Sequence, residues 1–145
     1  GVAVTNPLLA SDIALRTIGA QKIAVVTPYI ADVTQSVADQ LIARGFTVTR
    51  LLGFGLDRDL DMTALPPDAL LAAALQANSP DADAVFISCT AIRAAEIAER
   101  AEKLLGKPVI TSNQALIWHA LHLMKYDKPV IGFGTLFDHA PQTLS

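Results

Sequence analysis

Short apolar runs alternate with amphipathic stretches along nearly the whole chain. Residues 22–27 (KIAVVT) form a continuous apolar, β-branched run, the pattern of a parallel strand buried on both faces. Residues 84–88 (AVFIS) repeat it, and residues 108–111 (PVIT) give a shorter version. Residues 46–52 (FTVTRLL) alternate apolar with polar, which predicts a strand nearer the edge of its sheet. Apolar runs at 1–5 and 130–134 predict an opening and a closing strand. Between these lie helical patterns. One spans about 7–18, with Pro7 in its first turn and Gly19 as its stop. The next follows Pro28 and reaches Arg44, with Gly45 just past its end. Residues 53–65, rich in Gly and Asp, read as a loop, and an Ala/Leu-rich helix follows from Pro66 to about Asn78. Residues 90–105 are amphipathic and stop at Gly106; residues 113–124 form the last helix.

This βαβα order predicts an α/β fold, a parallel sheet flanked by helices on both faces. Ligands of such sheets bind beyond the carboxyl ends of the strands. Four junctions therefore carry the candidate chemistry: Thr27-Pro28-Tyr29, the 53–61 loop, Ser88-Cys89-Thr90 and Ser112-Asn113-Gln114. Cys89 follows a buried run and directly precedes the predicted 90–105 helix. A helix N-terminus offers unpaired N–H groups and partial positive charge, both favourable to a thiolate. Cys89 is accordingly the candidate catalytic thiol. Tyr29 sits at an equivalent junction earlier in the chain order, where its phenol could donate to a carboxylate or an enolate. Ser112 and Asn113 form a third polar strand end, suited to capping the next helix. Asp59 and Asp61 lie in the acidic loop.

Composition narrows the classes. The 145 residues are 52% hydrophobic and only 17% charged, against a usual quarter, which fits one domain with a sizeable core. A net charge of −3 gives nucleic-acid binding no electrostatic support. The single cysteine excludes an internal disulfide and a multi-cysteine zinc site, and suits a reducing cytoplasm. No apolar run has the length of a membrane span. His119 and His122 are spaced for a shared ligand on one helix, but no third ligand accompanies them, so no metal is expected. No glycine-rich phosphate motif is present, and no cofactor is expected. The opening Gly1-Val2-Ala3-Val4-Thr5 lacks an initiator Met and reads as a chain joined mid-flow, a fragment.

Three strings then carry a family resemblance: Thr27-Pro28-Tyr29-Ile30, residues 86–93 (FISCTAIR) and residues 105–119 (LGKPVITSNQALIWH). They resemble the maleate cis–trans isomerase and arylmalonate decarboxylase group of the aspartate/glutamate racemase superfamily, most closely the maleate-isomerase-like proteins of ectoine utilisation. The resemblance implies two pseudo-symmetric α/β halves with the active site in the cleft between them. The chain matches the second half and the lead-in to it. Cys89 then resembles the second-half cysteine, an acid/base partner to a first-half nucleophile in the isomerases and the proton donor to an enediolate in the decarboxylases. Thr90 resembles the residue whose N–H holds a substrate carboxylate, and Tyr29 the tyrosine that hydrogen-bonds the substrate. Asp59 falls near an Asn/Asp loop position of the isomerases. Ser88 and Asn113 complete the expected substrate-contact set.

The resemblance implies a cofactor-independent isomerase acting on a small dicarboxylate, dimeric at full length and cytoplasmic. A racemase or arylmalonate-type decarboxylase on the same scaffold is the alternative among enzymes, and a non-catalytic carboxylate-binding domain the alternative outside them. Ala91 stands where amino-acid racemases carry His, which argues against a glutamate racemase. The Gly-rich run that follows the cysteine in arylmalonate decarboxylases is also missing.

Overall fold

The computed structural model describes residues 2–142. Four parallel strands, β1 (Lys22–Tyr29), β2 (Thr47–Leu56), β3 (Ala84–Ile87) and β4 (Val109–Thr111), form one sheet in the order β2-β1-β3-β4. The apolar run of β1 is buried from Ile23 to Pro28, as a central strand covered on both faces requires. β2, with its alternating pattern, lies at one edge. Helices cover both faces. α1 (Pro7–Thr17), α2 (Ala31–Ala43) and α6 (Ser112–Leu123) pack on one side around Ile23, Val25, Phe86, Ile110 and Trp118. α3 (Asp59–Thr63), α4 (Pro67–Ala77) and α5 (Ala98–Leu105) pack on the other around Ala24, Val26, Val85, Ile87 and Val109.

Local chemistry sets the ends. Asn6 caps α1 by accepting the Leu9 N–H at 2.9 Å, with Pro7 at the first helical position. Gly45, at φ +95°, closes α2 in a conformation that costs other residues more. Pro28 sits where the β1–β2 register shifts, so its missing N–H interrupts no regular pairing.

Several expectations are corrected. Residues 2–6 are irregular rather than an opening strand, with Val2 and Val4 exposed; Gly1 lies outside the described residues. Residues 130–134 form no closing strand. Gly132 and Gly134 adopt φ of +95° and +91°, and the segment is held by side chains instead: Gln114 donates to the Phe133 carbonyl, and Glu102 accepts from Thr135 N–H at 2.9 Å. The 53–65 loop is partly regular, because β2 continues to Leu56 and α3 follows. The 90–105 helix is shorter than its periodicity. Residues 90–92 are a bend, Ala94–Ile97 is a 3₁₀ turn, and α5 begins only at Ala98.

Candidate active site

From β1 the chain goes to one side for β2, then crosses back to β3 on the other side. The carboxyl ends of β1 and β3 therefore flank a topological switch point, where open α/β sheets form their ligand crevice. The two strands are joined up to this point, Ser88 N–H donating to the Val26 carbonyl at 2.9 Å. Tyr29 ends β1 and Cys89 lies just beyond β3. Both side chains belong to the same apolar cluster, with Met62 of α3, Leu56, Ala91 and Ile92.

Cys89 is 7% exposed and adopts φ +131°, a backbone conformation that L-residues rarely hold and that marks local strain. Its neighbours maintain it. Cys89 N–H donates to Ser112 Oγ at 3.1 Å, and Ala91 N–H donates to Cys89 Sγ at 3.3 Å. Asn113 Nδ2 donates to the Thr90 carbonyl at 3.1 Å and to the Ile92 carbonyl at 3.4 Å. The expected helix N-terminus directly after Cys89 is absent, since α5 starts nine residues on. The first turn of α6 takes its place beside the loop.

Tyr29 is positioned by a threonine pair. Thr34 Oγ1 donates to the Tyr29 carbonyl at 3.0 Å and lies 2.6 Å from Thr27 Oγ1, which accepts Tyr29 N–H at 3.3 Å. Gly53 of β2 leaves room for this arrangement, because a Cβ there would lie 2.7 Å from Thr34 Oγ1 and 3.0 Å from the Tyr29 carbonyl. Burial pushes the Tyr29 phenol well above its ordinary range; the neighbouring Cys89 side chain and the Asp59 carboxylate act in the same direction. Tyr29 thus remains a neutral hydrogen-bond donor at physiological pH.

The structure brings Cys89, Tyr29 and Asp59 together, Asp59 exposed at the start of α3. Thr90 is exposed beside them. Ser88 turns to the opposite face, where it lines a cavity of about 100 Å³ with Ser11, Ser112 and Phe86. Asn113 directs its amide into the Cys89 loop. Capping of α6 falls to Thr111, whose side chain accepts Gln114 N–H at 3.2 Å while Gln114 Oε1 accepts Thr111 N–H at 3.0 Å. Neither Ser112 nor Asn113 is needed for that cap. The arginines that flank the site along the chain are both engaged locally, Arg58 with Asp61 and Arg93 with Glu96. The sequence marked the Thr27-Pro28-Tyr29 junction and the 53–61 loop but showed no role for Thr27, Thr34 or Gly53, and offered Ser112 as a cap. Only the Thr27/Thr34 hydroxyls next to Tyr29 offered a signal. His119 and His122 sit on α6, His119 Nδ1 lying 2.7 Å from Thr5 Oγ1. Among the described residues no group of three metal-ligating side chains forms.

Known proteins share this architecture. The chain is 30% identical over 112 residues to a maleate isomerase of Alcaligenes faecalis, a match covering 77% of the chain and 43% of that protein. It is 29% identical to an arylmalonate decarboxylase of Bordetella bronchiseptica over 87% of the chain and 54% of the relative. The chain thus spans about half the length of the curated relatives it matches. Nocardia farcinica maleate cis–trans isomerase bound to TRIS superposes with a TM-score of 0.88 at 27% identity, over 92% of the chain and 55% of that structure. A mutant of the same enzyme carrying a covalently bound succinylcysteine intermediate gives 0.84 at 25% identity, over 90% of the chain and 54% of that structure. The fold is that of these aspartate/glutamate racemase-like enzymes. The model of the arylmalonate decarboxylase family matches residues 5–137, nearly the whole chain with both strand ends of the crevice, and the chain belongs to that family.

Proposed function

We propose that this chain is the second half of a cofactor-independent cis–trans isomerase of small dicarboxylates, maleate being the reference substrate, with Cys89 as a catalytic thiol. The observation that carries this reading is the strained Cys89 placed beside Tyr29 at the β1/β3 switch point. Kinship with maleate isomerases, one of them captured with a succinylcysteine, supports it.

In this reading a thiolate from the other half adds to one alkene carbon. The Cys89 thiol gives its proton to the other carbon, and the resulting single C–C bond rotates. Cys89, now a thiolate, takes the proton back as the first thiolate leaves and the double bond re-forms. Tyr29 and the Thr90 N–H donate to a substrate carboxylate, with Asp59 at the rim and Ser88 and Asn113 behind the loop. These donors are neutral groups; the nearby Arg58 and Arg93 are paired with Asp61 and Glu96. The other half closes the cleft, so the isolated 145-residue chain is inactive, and the full-length protein is a cytoplasmic dimer. The closer likeness to the isomerase-like proteins of ectoine utilisation belongs to the same reading.

The test is conversion of maleate to fumarate by the full-length protein and its Cys89→Ala variant, followed by proton NMR. Loss of a general acid/base lowers kcat by about 10²–10⁴-fold. A Cys89→Ala protein with unchanged turnover overturns the assignment. The family match and the Bordetella relative favour one second reading, decarboxylation of an arylmalonate, with Cys89 protonating the enediolate left by loss of carbon dioxide. Carbon dioxide release from phenylmalonate, with no fumarate from maleate, selects it.

A further inference from the structure

We propose that Ser112 and Asn113, the first two residues of α6, are positioning residues that hold the Cys89 thiol in its reactive orientation. The inference rests on Cys89 being the catalytic thiol. A non-glycine residue at φ +131° persists only where its surroundings over-determine it. The loop cannot do this alone, because residues 90–93 precede the 3₁₀ turn and α5 and so lack a helix of their own. Its fixed points come from the next strand end instead.

Ser112 Oγ, on a residue only 5% exposed, takes the Cys89 N–H. The Asn113 amide grips the carbonyls of Thr90 and Ile92, one on each side of Ala91. Ala91 N–H in turn points at Sγ, so the backbone held by Asn113 is the one that orients the thiol. The Thr111–Gln114 capping box anchors α6 by itself. Both side chains are therefore available to the loop, on the rigid first turn of a 12-residue helix. Mispositioning of a reacting group by about 1 Å costs about a hundredfold in rate.

The experiment uses the full-length protein with Ser112→Ala, Ser112→Thr and Asn113→Ala. Maleate turnover supplies kcat and KM, and iodoacetamide, followed on the Cys89 peptide by mass spectrometry, supplies thiol reactivity at fixed pH. Ser112→Ala is expected to lower kcat about a hundredfold with KM changed less than about threefold, and to change the alkylation rate at least about fivefold. Ser112→Thr keeps the hydroxyl and restores both to within about threefold of the parent. Asn113 is only half-buried, so Asn113→Ala folds and shows the same kcat-weighted loss even where Ser112→Ala does not. Parental kcat and alkylation rate in Ser112→Ala or Asn113→Ala overturn the proposal. So does a loss that Ser112→Thr fails to rescue, or one equal to the unfolded fraction. Where Cys89→Ala retains turnover, the catalytic reading has failed, and the alkylation rates alone still judge whether α6 positions the thiol.

Discussion

Cys89 combines two properties that usually exclude each other, a side chain with a Cβ and a backbone at φ +131°. Strain of this kind costs about 1–3 kcal/mol and would be lost under selection for stability alone. Replacing Cys89 by Ala or by Gly removes the thiol in both cases, but only Gly relieves the backbone. The Gly variant should therefore be more stable than the Ala variant by about 1 kcal/mol, even after its greater unfolded-state entropy. Urea unfolding midpoints of the two variants measure this. An Ala variant as stable as the Gly variant would mean that the Cys89 backbone is unstrained. Beside it, Tyr29 shows that the same pocket disfavours charge on the phenol, through burial first and through Cys89 and Asp59 after it. The tyrosine is thereby kept a donor, which is what a carboxylate ligand needs from it.

At the scale of elements, a buried carboxylate helps to bind the least regular segment. Glu102 of α5 accepts Val109 N–H at 3.0 Å, Thr135 N–H at 2.9 Å and the Thr135 hydroxyl at 3.1 Å, so one side chain joins α5, the start of β4 and the 3₁₀ turn Thr135–Asp138. Glu102→Ala strands two backbone donors and should cost about 3 kcal/mol, read as a lower thermal or urea midpoint. An unchanged midpoint would show that water replaces the carboxylate at no cost. The same elements explain what sequence could and could not reveal. β1 and β3 were legible because continuous β-branched runs have few other uses, and α1 and α2 because Pro7 and Gly45 bracket them. The 90–105 pattern hid a bend, since periodicity does not register that Asn113, more than twenty residues on, captures the carbonyls of Thr90 and Ile92. Residues 130–134 were apolar enough for a strand, yet Ile131 is 83% exposed and the segment's contacts are to distant side chains. Of the site, Cys89 and Tyr29 were legible from the rule of strand ends. The roles of the supporting hydroxyls of Thr34 and Ser112 were not, because they depend on how α2 and α6 pack against the strand ends.

Over the whole molecule, two separate apolar clusters sit on the two faces of the sheet. Cys89 and Tyr29 belong to the α4/α5 face, whereas α6, which holds the Cys89 loop, belongs to the other. Acid should disturb that second face first. Burial, followed by the charge of His122, holds His119 below its ordinary range. The folded state therefore disfavours the protonated form. The associated stability is fully present above about pH 6.5, the unfolded value, and is lost as pH falls below it. A His119→Gln variant should show a smaller drop in melting temperature between pH 7.5 and pH 5.5 than the parent, and an equal drop would assign the acid sensitivity elsewhere. Among the described residues no helix is long and apolar enough to cross a membrane.

The segment after Gly134 also bears on how this protein is handled at the bench. Trp118 Nε1 donates to the His139 carbonyl, Gln142 N–H donates to Thr17, and Thr135 meets Glu102. Residues that resemble a disposable tail are in fact strapped across α5, α6 and α1. Trimming them to aid crystallisation would uncover the Trp118 indole and take from the Glu102 carboxylate its two Thr135 donors, leaving it only the Val109 N–H. A fusion joint or affinity tag placed before residue 142 would pull on the very helix whose first turn contacts the Cys89 loop, and any effect on the thiol would then be a cloning artefact rather than a property of the intact protein.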